Sequence, residues 1–285
     1  MKMTLGMILI VRDEIDLIER NLAFHLQRGI DEFAVMDNAS TDGTRDILSS
    51  LSKRMPITIF DQPATDYRQD IWATELARYL KERGIDWAIS LDADEFLCNE
   101  KSNLKDVVAA QEFPTILERK NVLPLEVEQS TVFENPLSAR YCVTNPLSTQ
   151  LPIMFRKMPG KILFPLRGLR SVARGNHQIE HETQQRTTTN EAMIRHFPVP
   201  SFPRFLLKLN HAGERFRQEQ NVSTDTSWHI RRWLEILSEG DIEEEYRSFF
   251  IPRAKLEQYL ADKTIEPDLF AETIERHSYS QVRGH

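Results

Sequence analysis

Apolar residues in the first hundred positions alternate between short runs and helical spacing. Four apolar runs have the length of buried strands: Leu5–Val11, Phe33–Met36, Ile57–Phe60 and Trp87–Leu91. Between consecutive runs, apolar residues recur every three or four positions, which predicts amphipathic helices. Gly29 ends the first helix, and Ser40 or Thr41 is predicted to cap the second. This alternation predicts an α/β fold, with a mostly parallel sheet covered by helices on both faces.

The apolar pattern changes after about residue 110. Residues 111–200 are irregular and rich in Pro, Asn, Arg and His, with short strands such as 162–164. The remainder is helix-compatible up to a tail, 276–285, that is expected to be disordered. We therefore predict one α/β domain over 1–200, followed by a helical C-terminal extension over 201–285.

Composition narrows the class of protein. The chain has 285 residues, of which 40% are hydrophobic and 28% charged, as in ordinary globular proteins. A net charge of −7 argues against a general nucleic-acid binder, which needs clustered basic residues. Cys98 and Cys142 form no disulfide framework or zinc spacing, which favours a reducing, cytoplasmic location. The apolar run near the N-terminus is too short for a transmembrane segment or a signal peptide, although peripheral membrane contact is compatible with the sequence.

Polar residues follow three of the predicted strands. Asp13 and Glu14 follow the first, Asp37 and Asn38 follow the second, and an Asp-Ala-Asp-Glu segment, 92–95, follows the fourth. Ligands of parallel sheets bind beyond the carboxyl ends of the strands, so these groups are expected to converge on one edge. Carboxylates are preferred ligands of hard divalent cations, and a cation held there could bridge to a diphosphate.

Three segments in this order carry a resemblance to a known family. They are Val11-Arg12-Asp13-Glu14, the stretch from Met36 to Thr44 (Met-Asp-Asn-Ala-Ser-Thr-Asp-Gly-Thr), and Leu91-Asp92-Ala93-Asp94-Glu95-Phe96. The chain resembles family 2-like glycosyltransferases with a GT-A fold, particularly the branch whose metal motif reads Asp-x-Asp-Glu-Phe. The resemblance covers about residues 4–100 and continues more weakly to Pro198.

The resemblance implies a metal-dependent glycosyltransferase. It would transfer a sugar from a nucleotide-diphosphate sugar, UDP-linked, to a glycan or glycoconjugate acceptor, with inversion at the anomeric carbon. The donor would bind the 1–110 half of the domain and the acceptor the 111–200 half. Bacterial surface-polysaccharide assembly is the setting in which such relatives work. The sugar and the acceptor are not specified by the sequence.

Donor contacts are assigned from the resemblance and from position. Asp37 is expected to face the nucleotide base or ribose, although many relatives carry a second acid where this chain has Asn38. Arg12 and Glu14 follow the first strand and are donor-pocket candidates. Two further candidates, Arg68 and Gln69, open the helix that precedes the fourth strand.

The metal site is also implied by the resemblance. Asp94 would ligate Mn²⁺ or Mg²⁺ directly, and Asp92 would contact the metal, a metal-bound water or the ribose. His177 is the candidate for a later ligand, because neutral imidazole suits Mn²⁺. His181 and His196 remain alternatives for that place.

An inverting reaction needs a base to take the acceptor proton. Glu95, beside the metal motif, and Glu180, after His177, are the candidates, and Glu182 is open as an alternative to Glu180. A basic band before His177 could hold a diphosphate or an anionic acceptor, since guanidinium groups suit phosphate oxygens. It contains Arg156, Lys157, Lys161, Arg167, Arg170 and Arg174.

Three other classes of protein share parts of this pattern. A haloacid-dehalogenase-like phosphatase also has Asp-x-Asp after a strand, but usually after the first strand. A sugar nucleotidyltransferase shares the architecture, but would carry a Gly-rich basic loop where this chain has Arg12-Asp13-Glu14. A catalytically inactive protein that binds a glycan or nucleotide is the non-enzyme alternative, against which the intact Asp92 and Asp94 argue.

Overall fold

The computed structural model describes most of the chain in seven stretches. These are residues 3–64, 68–99, 103–126, 135–144, 152–218, 228–270 and 272–274. The predicted disordered tail lies outside the described residues.

The first four strands form the parallel part of the central sheet. They are β1 (Leu5–Val11), β2 (Glu32–Asp37), β3 (Ile57–Asp61) and β4 (Trp87–Ser90). Their order in the sheet is β3-β2-β1-β4, and each neighbouring pair is parallel. All four predicted strands are therefore confirmed, and their carboxyl ends face the same edge.

Helices cover both faces of this part of the sheet. They are α1 (Ile18–Gln27), α2 (Thr44–Leu51), α3 (Gln69–Glu82) and α4 (Leu104–Ala109). Met7 and Leu9 of β1 share a buried core with α1 and α2, whereas Ile8 belongs to a core with α3. Successive strand residues point to opposite faces, so β1 packs on helices from both sides. The predicted α/β class with helices on both faces is confirmed.

The start of α2 differs from the prediction. The helix begins at Thr44, whose backbone N–H donates to the Asp42 carboxylate at 2.9 Å. Ser40 and Thr41 instead hold the end of β1: the Ser40 hydroxyl accepts from the Asp13 N–H at 3.0 Å, and the Thr41 N–H donates to the Asp13 carboxylate at 2.6 Å. The prediction that Ser40 or Thr41 caps α2 is wrong, because a tertiary contact takes their polar groups.

The rest of the sheet is mainly antiparallel. The strands that follow in the chain are β5 (Glu95–Asn99), β6 (Thr115–Leu123), β7 (Tyr141–Val143), β8 (Lys161–Pro165), β9 (Leu169–Val172), β10 (Ile179–His181), β11 (Thr187–His196) and β12 (Ile265–Pro267). Strand β8 pairs antiparallel with both β4 and β6, so it joins the two parts of the sheet. Strand β11 runs parallel to β6 and antiparallel to β5, whereas β9 and β10 form a separate pair. The region predicted to be irregular thus holds six strands among its described residues.

The described part of the C-terminal region is helical and packs on the sheet domain. Its helices are α5 (Phe202–Gln218), α6 (Trp228–Glu239), α7 (Ile242–Arg247) and α8 (Leu256–Ala261). An aromatic core that includes Phe205, Trp233 and Phe249 holds them together. Strand β12 then pairs with β7 of the central sheet. Among the described helices, none has the length and apolarity needed to cross a membrane.

Candidate functional site

A cavity of about 890 Å³ opens at the carboxyl ends of the parallel strands. Arg12 and Glu14, which follow β1, line it together with Asn38, which follows β2. Asp92 and Asp94, which follow β4, line the same cavity. Three segments that are far apart in the sequence therefore meet at one pocket, as the strand order dictates.

Six of the predicted site residues line this cavity. They are Arg12, Glu14, Gln69, Asp92, Asp94 and His177. The other four are Asp37, Arg68, Glu95 and Glu180, and none of them is among the lining residues in the described part of the chain. Arg68 is exposed where α3 begins. Glu180 is exposed on β10, in the separate two-stranded pair.

The ends of β1 and β2 contain buried polar atoms that make no hydrogen bond among the described residues, although two of them form an ion pair: Arg12 Nε lies 3.8 Å from Asp13 Oδ2, and His211 Nδ1 lies 3.5 Å from the same oxygen. Among the described residues, Arg12 Nε, Asp13 Oδ2 and Asp37 Oδ1 are buried and make no hydrogen bond. Buried polar groups are nearly always satisfied, so each such atom needs an explanation. The other Asp37 oxygen accepts from the Ser40 N–H at 3.2 Å, which fixes the carboxylate beside the pocket. Among these three atoms, Asp37 Oδ1 is the one that neither a hydrogen bond nor an ion pair satisfies in the described residues, and a polar ligand at this end of the cavity would explain it.

Glu95 lies beneath the pocket rather than in it. Its side chain is completely buried, and its carboxylate contacts Arg119 Nη1 at 2.6 Å and Lys161 Nζ at 3.2 Å. It also accepts from the Asp92 backbone N–H at 2.9 Å. Burial would raise the pKa of Glu95, but the charges of Lys161 and Arg119 outweigh burial and lower it to about 2.

The two predicted bases therefore do not suit that role. Glu95 has no exposed surface with which to reach an acceptor, and two buried cations hold it ionised. Glu180 is exposed on β10 and is not among the residues that line the cavity in the described part of the chain. The prediction of Glu95 and Glu180 as catalytic bases conflicts with this geometry, because a general base must come within hydrogen-bond reach of the proton that it takes.

Lys161 is a buried cation under the Asp-Ala-Asp segment. Its side chain is 1% exposed, and its ammonium contacts Asp92 Oδ2 at 3.0 Å and the Gly175 carbonyl at 3.3 Å, besides Glu95. Burial would lower the pKa of Lys161, but Asp92 and Glu95 raise it overall. Lys161 thus holds Asp92 in place and is buried away from any ligand in the cavity. The basic band was predicted to bind a diphosphate or an anionic acceptor, and Lys161 does not fit that role.

Asp94 is paired with His196 at the pocket surface. His196 Nε2 lies 3.6 Å from Asp94 Oδ1, and both side chains are more than four-fifths buried. Burial would raise the pKa of Asp94, but the contact with His196 and the charges of Lys208 and Arg119 together bring it well below its usual range. Asp94 is therefore an ionised carboxylate beside an imidazole.

Asn121 fixes which nitrogen of His196 carries the proton. Asn121 Nδ2 donates to the Met154 carbonyl at 2.7 Å, so its amide oxygen faces His196 Nδ1 at 2.7 Å. Because that oxygen can only accept, His196 Nδ1 must donate. The neutral ring therefore carries its lone pair on Nε2, on the side of Asp94. The sequence did not predict the contact between Asn121 and His196, because the two residues meet only when β6 pairs with β11.

His177 lines the cavity at a different point. Its Nδ1 lies 2.9 Å from the Gly160 carbonyl, which can only accept, so Nδ1 carries the proton and Nε2 the lone pair. Burial lowers the pKa of His177, and the charge of Lys161 lowers it further. His177 is therefore a neutral imidazole at physiological pH, as the predicted ligand role required.

The predicted metal ligands do not gather into one cluster. Among the described residues, no group of three or more His, Cys, Asp or Glu side chains is arranged to hold a metal ion. Asp92 is paired with Lys161, while Asp94 is paired with His196 rather than with His177. Asp94 and His196 are thus a pair of possible metal ligands, whereas the sequence predicted a set of three, Asp92, Asp94 and His177.

Helix α5 closes the β1 side of the pocket with basic side chains. Lys208 Nζ lies 2.9 Å from Glu14, and Arg204 contacts Glu14 and Asp42 at 3.4 Å each. Burial raises the pKa of Glu14, partly opposed by Lys208. The helical periodicity predicted α5 but gave no sign that it would pack on the acidic end of β1.

Solved structures offer only distant comparisons. No protein-family model and no curated protein matches the sequence. The chain is similar to residues 1–349 of S. aureus TarS, at 12% identity over 97% of this chain and 89% of that chain, with a TM-score of 0.44. The same TarS fragment in complex with UDP-GlcNAc gives 11% identity, the same coverage and a TM-score of 0.45. A mycobacterial protein gives 21% identity over 47% of this chain and 46% of that chain, with a TM-score of 0.29. All three scores lie below 0.5, so these likenesses carry no conclusion about activity.

Proposed function

We propose that this protein is a GT-A-type glycosyltransferase that uses a nucleotide-diphosphate sugar, with UDP as the nucleotide. The observation that carries the proposal is the convergence of the ends of β1, β2 and β4 on one cavity. These ends carry the three segments on which the family resemblance depends. A pocket of this volume is of the size that holds a small ligand.

The nucleoside is assigned to the ends of β1 and β2. Asp37 Oδ1, at the end of β2, is a buried acceptor without a hydrogen bond among the described residues, whereas Arg12 Nε and Asp13 Oδ2 lie 3.8 Å apart as an ion pair. A carboxylate there can accept from a uracil N–H or from ribose hydroxyls. Asn38 lines the pocket, but its amide nitrogen already donates to the Gln62 and Ala64 carbonyls, so Asn38 shapes the wall.

The donor pair of Asp94 and His196 fits a divalent cation. Mg²⁺ is usually held by one or two protein ligands together with substrate phosphates, and Mn²⁺ accepts imidazole as well as carboxylate. The hydrogen bond from His196 Nδ1 to Asn121 leaves the Nε2 lone pair for a metal, a common arrangement around ligating histidines. When bound, Mn²⁺ or Mg²⁺ would offset the negative charge that develops on the leaving diphosphate. Asp92, anchored by Lys161, would orient the donor beside this pair.

We assign the proton acceptor of an inverting transfer to His177. It lines the cavity, it is neutral at physiological pH, and its Nε2 carries the lone pair. Asp92, Asp94 and Glu14 are the carboxylates among the described lining residues, and each already faces a positively charged or imidazole group. His177 would take the proton from the acceptor hydroxyl as the oxygen attacks the anomeric carbon, while UDP leaves.

The test is a nucleotide-sugar panel with a variant of the motif. UDP-glucose, UDP-galactose, UDP-GlcNAc and GDP-mannose would be mixed with the full chain, with Mn²⁺ or with chelator. We expect UDP sugars with Mn²⁺ to raise the melting temperature and to release UDP slowly by hydrolysis. Asp94→Asn should abolish both effects, whereas Asp106→Asn, at an exposed position of α4, should change neither. Turnover of a simple phosphate ester with no response to any nucleotide sugar would instead indicate a phosphatase.

A further inference from the structure

A second set of lining residues forms a wall that the donor does not require. We call it the α6 wall: Arg156 and Lys157, from the segment before β8, with Trp228 and His229 from the first turn of α6. Sugar acceptors bind next to the donor in the same pocket, so an additional wall of the cavity is where an acceptor would lie.

Trp228 gives this wall an exposed aromatic surface. It is 45% exposed although it is a large apolar residue at a cavity. The Arg156 guanidinium lies 5.7 Å from the centre of its ring, and the His229 ring lies 5.9 Å away. These contacts orient the indole and leave ring surface accessible. The apolar face of a pyranose, which presents C–H groups, is complementary to such a ring.

The charge of the α6 wall is opposite to that of the chain as a whole. The acidic residues among the described lining residues are Glu14, Asp92 and Asp94, all of which follow β1 or β4. The α6 wall contributes Arg156 and Lys157 to the same cavity, in a chain of net charge −7. Guanidinium and ammonium groups bind carboxylates and phosphates through charge-assisted hydrogen bonds.

A side chain of the proposed metal centre also anchors this wall. Asn121, which orients His196, donates to the carbonyl of Met154, two residues before Arg156. The backbone that precedes Arg156 is therefore held by the same residue that orients the His196 imidazole. Such coupling is what a transfer between two bound sugars needs, because reacting groups must be held in register.

We infer that the α6 wall is the acceptor subsite and that the acceptor is an anionic saccharide. Its ring would stack on Trp228, and its carboxylate or phosphate would bind Arg156 and Lys157. The inference rests on the proposed function, because a bound saccharide is an acceptor only if the protein is a glycosyltransferase. The binding of an anionic sugar can nevertheless be tested without any transfer. The negative group can come from a uronic acid or from a sugar phosphate.

The experiment measures saccharide binding and UDP binding in the same samples. Cellobiouronic acid, its neutral counterpart cellobiose, and glucose 6-phosphate would be titrated into the full chain by calorimetry, with UDP and Mn²⁺ present. We expect the acidic disaccharide to bind about tenfold more tightly than cellobiose, the effect of one charge-assisted hydrogen bond. Tighter binding of glucose 6-phosphate than of cellobiouronic acid would identify phosphate rather than carboxylate as the recognised group.

Three variants separate the contributions of ring and charge. Arg156→Gln with Lys157→Gln should remove the preference for the acid and leave cellobiose binding unchanged. Trp228→Ala should weaken the acid and the neutral sugar alike. Arg170→Gln, an exposed residue of the basic band that does not line the described cavity, should change neither. Equal binding of acid and neutral sugar by the unmodified chain, or a preference that survives the double variant, would overturn the inference. If the unmodified chain prefers the acidic sugar but does not bind UDP, the proposed function is overturned instead.

Discussion

The ammonium of Lys161 lies 3.0 Å from Asp92 Oδ2, which ties the first acid of the Asp-Ala-Asp segment to a buried cation. The same ammonium lies 3.2 Å from Glu95, whose other oxygen is held by Arg119 at 2.6 Å. Lys161 and Arg119 therefore enclose Glu95 beneath the cavity, and Lys161 also holds Asp92, whose side chain is 42% exposed at the cavity surface. The buried charges are tolerated in the interior because their partners are present.

Removing Lys161 should destabilise the fold strongly. Lys161→Met would leave Glu95 buried with one cation and Asp92 without its anchor, and breaking a buried pair costs about 3–5 kcal/mol of unfolding free energy. Urea unfolding, monitored by circular dichroism, would measure the loss. Lys120→Met is the matched control, because its partner Glu118 is about half exposed and 3.8 Å away. Lys120→Met should change the unfolding free energy by less than about 1 kcal/mol. An equally small loss for Lys161→Met would show that the buried pairing of Lys161 does not stabilise the fold.

His25 should make the stability of the protein depend on pH. Its Nε2 accepts from the backbone N–H of Leu97 at 3.0 Å, so Nδ1 must donate to the Asn21 carbonyl at 2.8 Å. Protonation would set two N–H groups against each other, and burial lowers the pKa of His25 to about 4. The unfolded chain takes up this proton near pH 6.5, so stability falls as pH drops from 6.5 toward 4, by up to about 3 kcal/mol.

Urea unfolding at several pH values would measure the contribution of His25. His25→Gln keeps a polar side chain without the titration, and it should flatten the slope of unfolding free energy between pH 6.5 and 4. Glu112→Gln, at an exposed position before β6, should leave that slope as it is in the unmodified chain. If the slope persists in His25→Gln, other groups cause it.

The sequence predicted the parallel half of the fold well because that half is built from local pattern. Each apolar run is one strand, and strand order then fixes where the polar ends meet. Glu14 and Asp92 could be placed at one edge on that basis alone. The antiparallel half depends on pairing between distant segments, such as β11 with both β5 and β6, which no local period reveals.

The individual roles in the site were harder to predict for the same reason. Glu95 looked like a pocket residue because it follows Asp94, yet a strand begins at Glu95 and turns its side chain inward toward Arg119. His177 was predicted as the metal ligand ahead of His181 and His196, whereas the structure places His196 next to Asp94, a proximity that depends on strand pairing. Asn121 and Trp228 carried no motif, and their position in the cavity comes from tertiary packing.

Replacing each histidine in turn should separate metal binding from proton transfer. We expect His196→Ala to weaken Mn²⁺ binding, and His177→Ala to leave it unchanged, because His196 faces Asp94 and His177 faces the Gly160 carbonyl. Asn121→Leu should weaken Mn²⁺ binding by about 10–100-fold, the usual effect of losing a partner of a ligating histidine. Electron paramagnetic resonance of free Mn²⁺ in the presence of UDP gives the affinities. Equal weakening by His177→Ala would restore His177 as the ligand.

The pH dependence of transfer should identify the base. Burial and the charge of Lys161 lower the pKa of His177 below 6.5, with Glu95 opposing this slightly, so the base is unprotonated at pH 7. The rate of transfer should therefore be level around neutrality and should fall only at a pH below the range in which an unperturbed histidine titrates, with a slope of one proton. UDP release from a saturating UDP sugar and acceptor, followed against pH, would show this limb.

His177→Ala should lower kcat by about 10²–10⁴-fold and remove the limb, since general base catalysis contributes on that order. His181→Ala is the control, because its imidazole accepts from the Thr183 N–H and faces the Arg167 carbonyl, and it does not line the described cavity. A limb that survives in His177→Ala would assign the base to another residue.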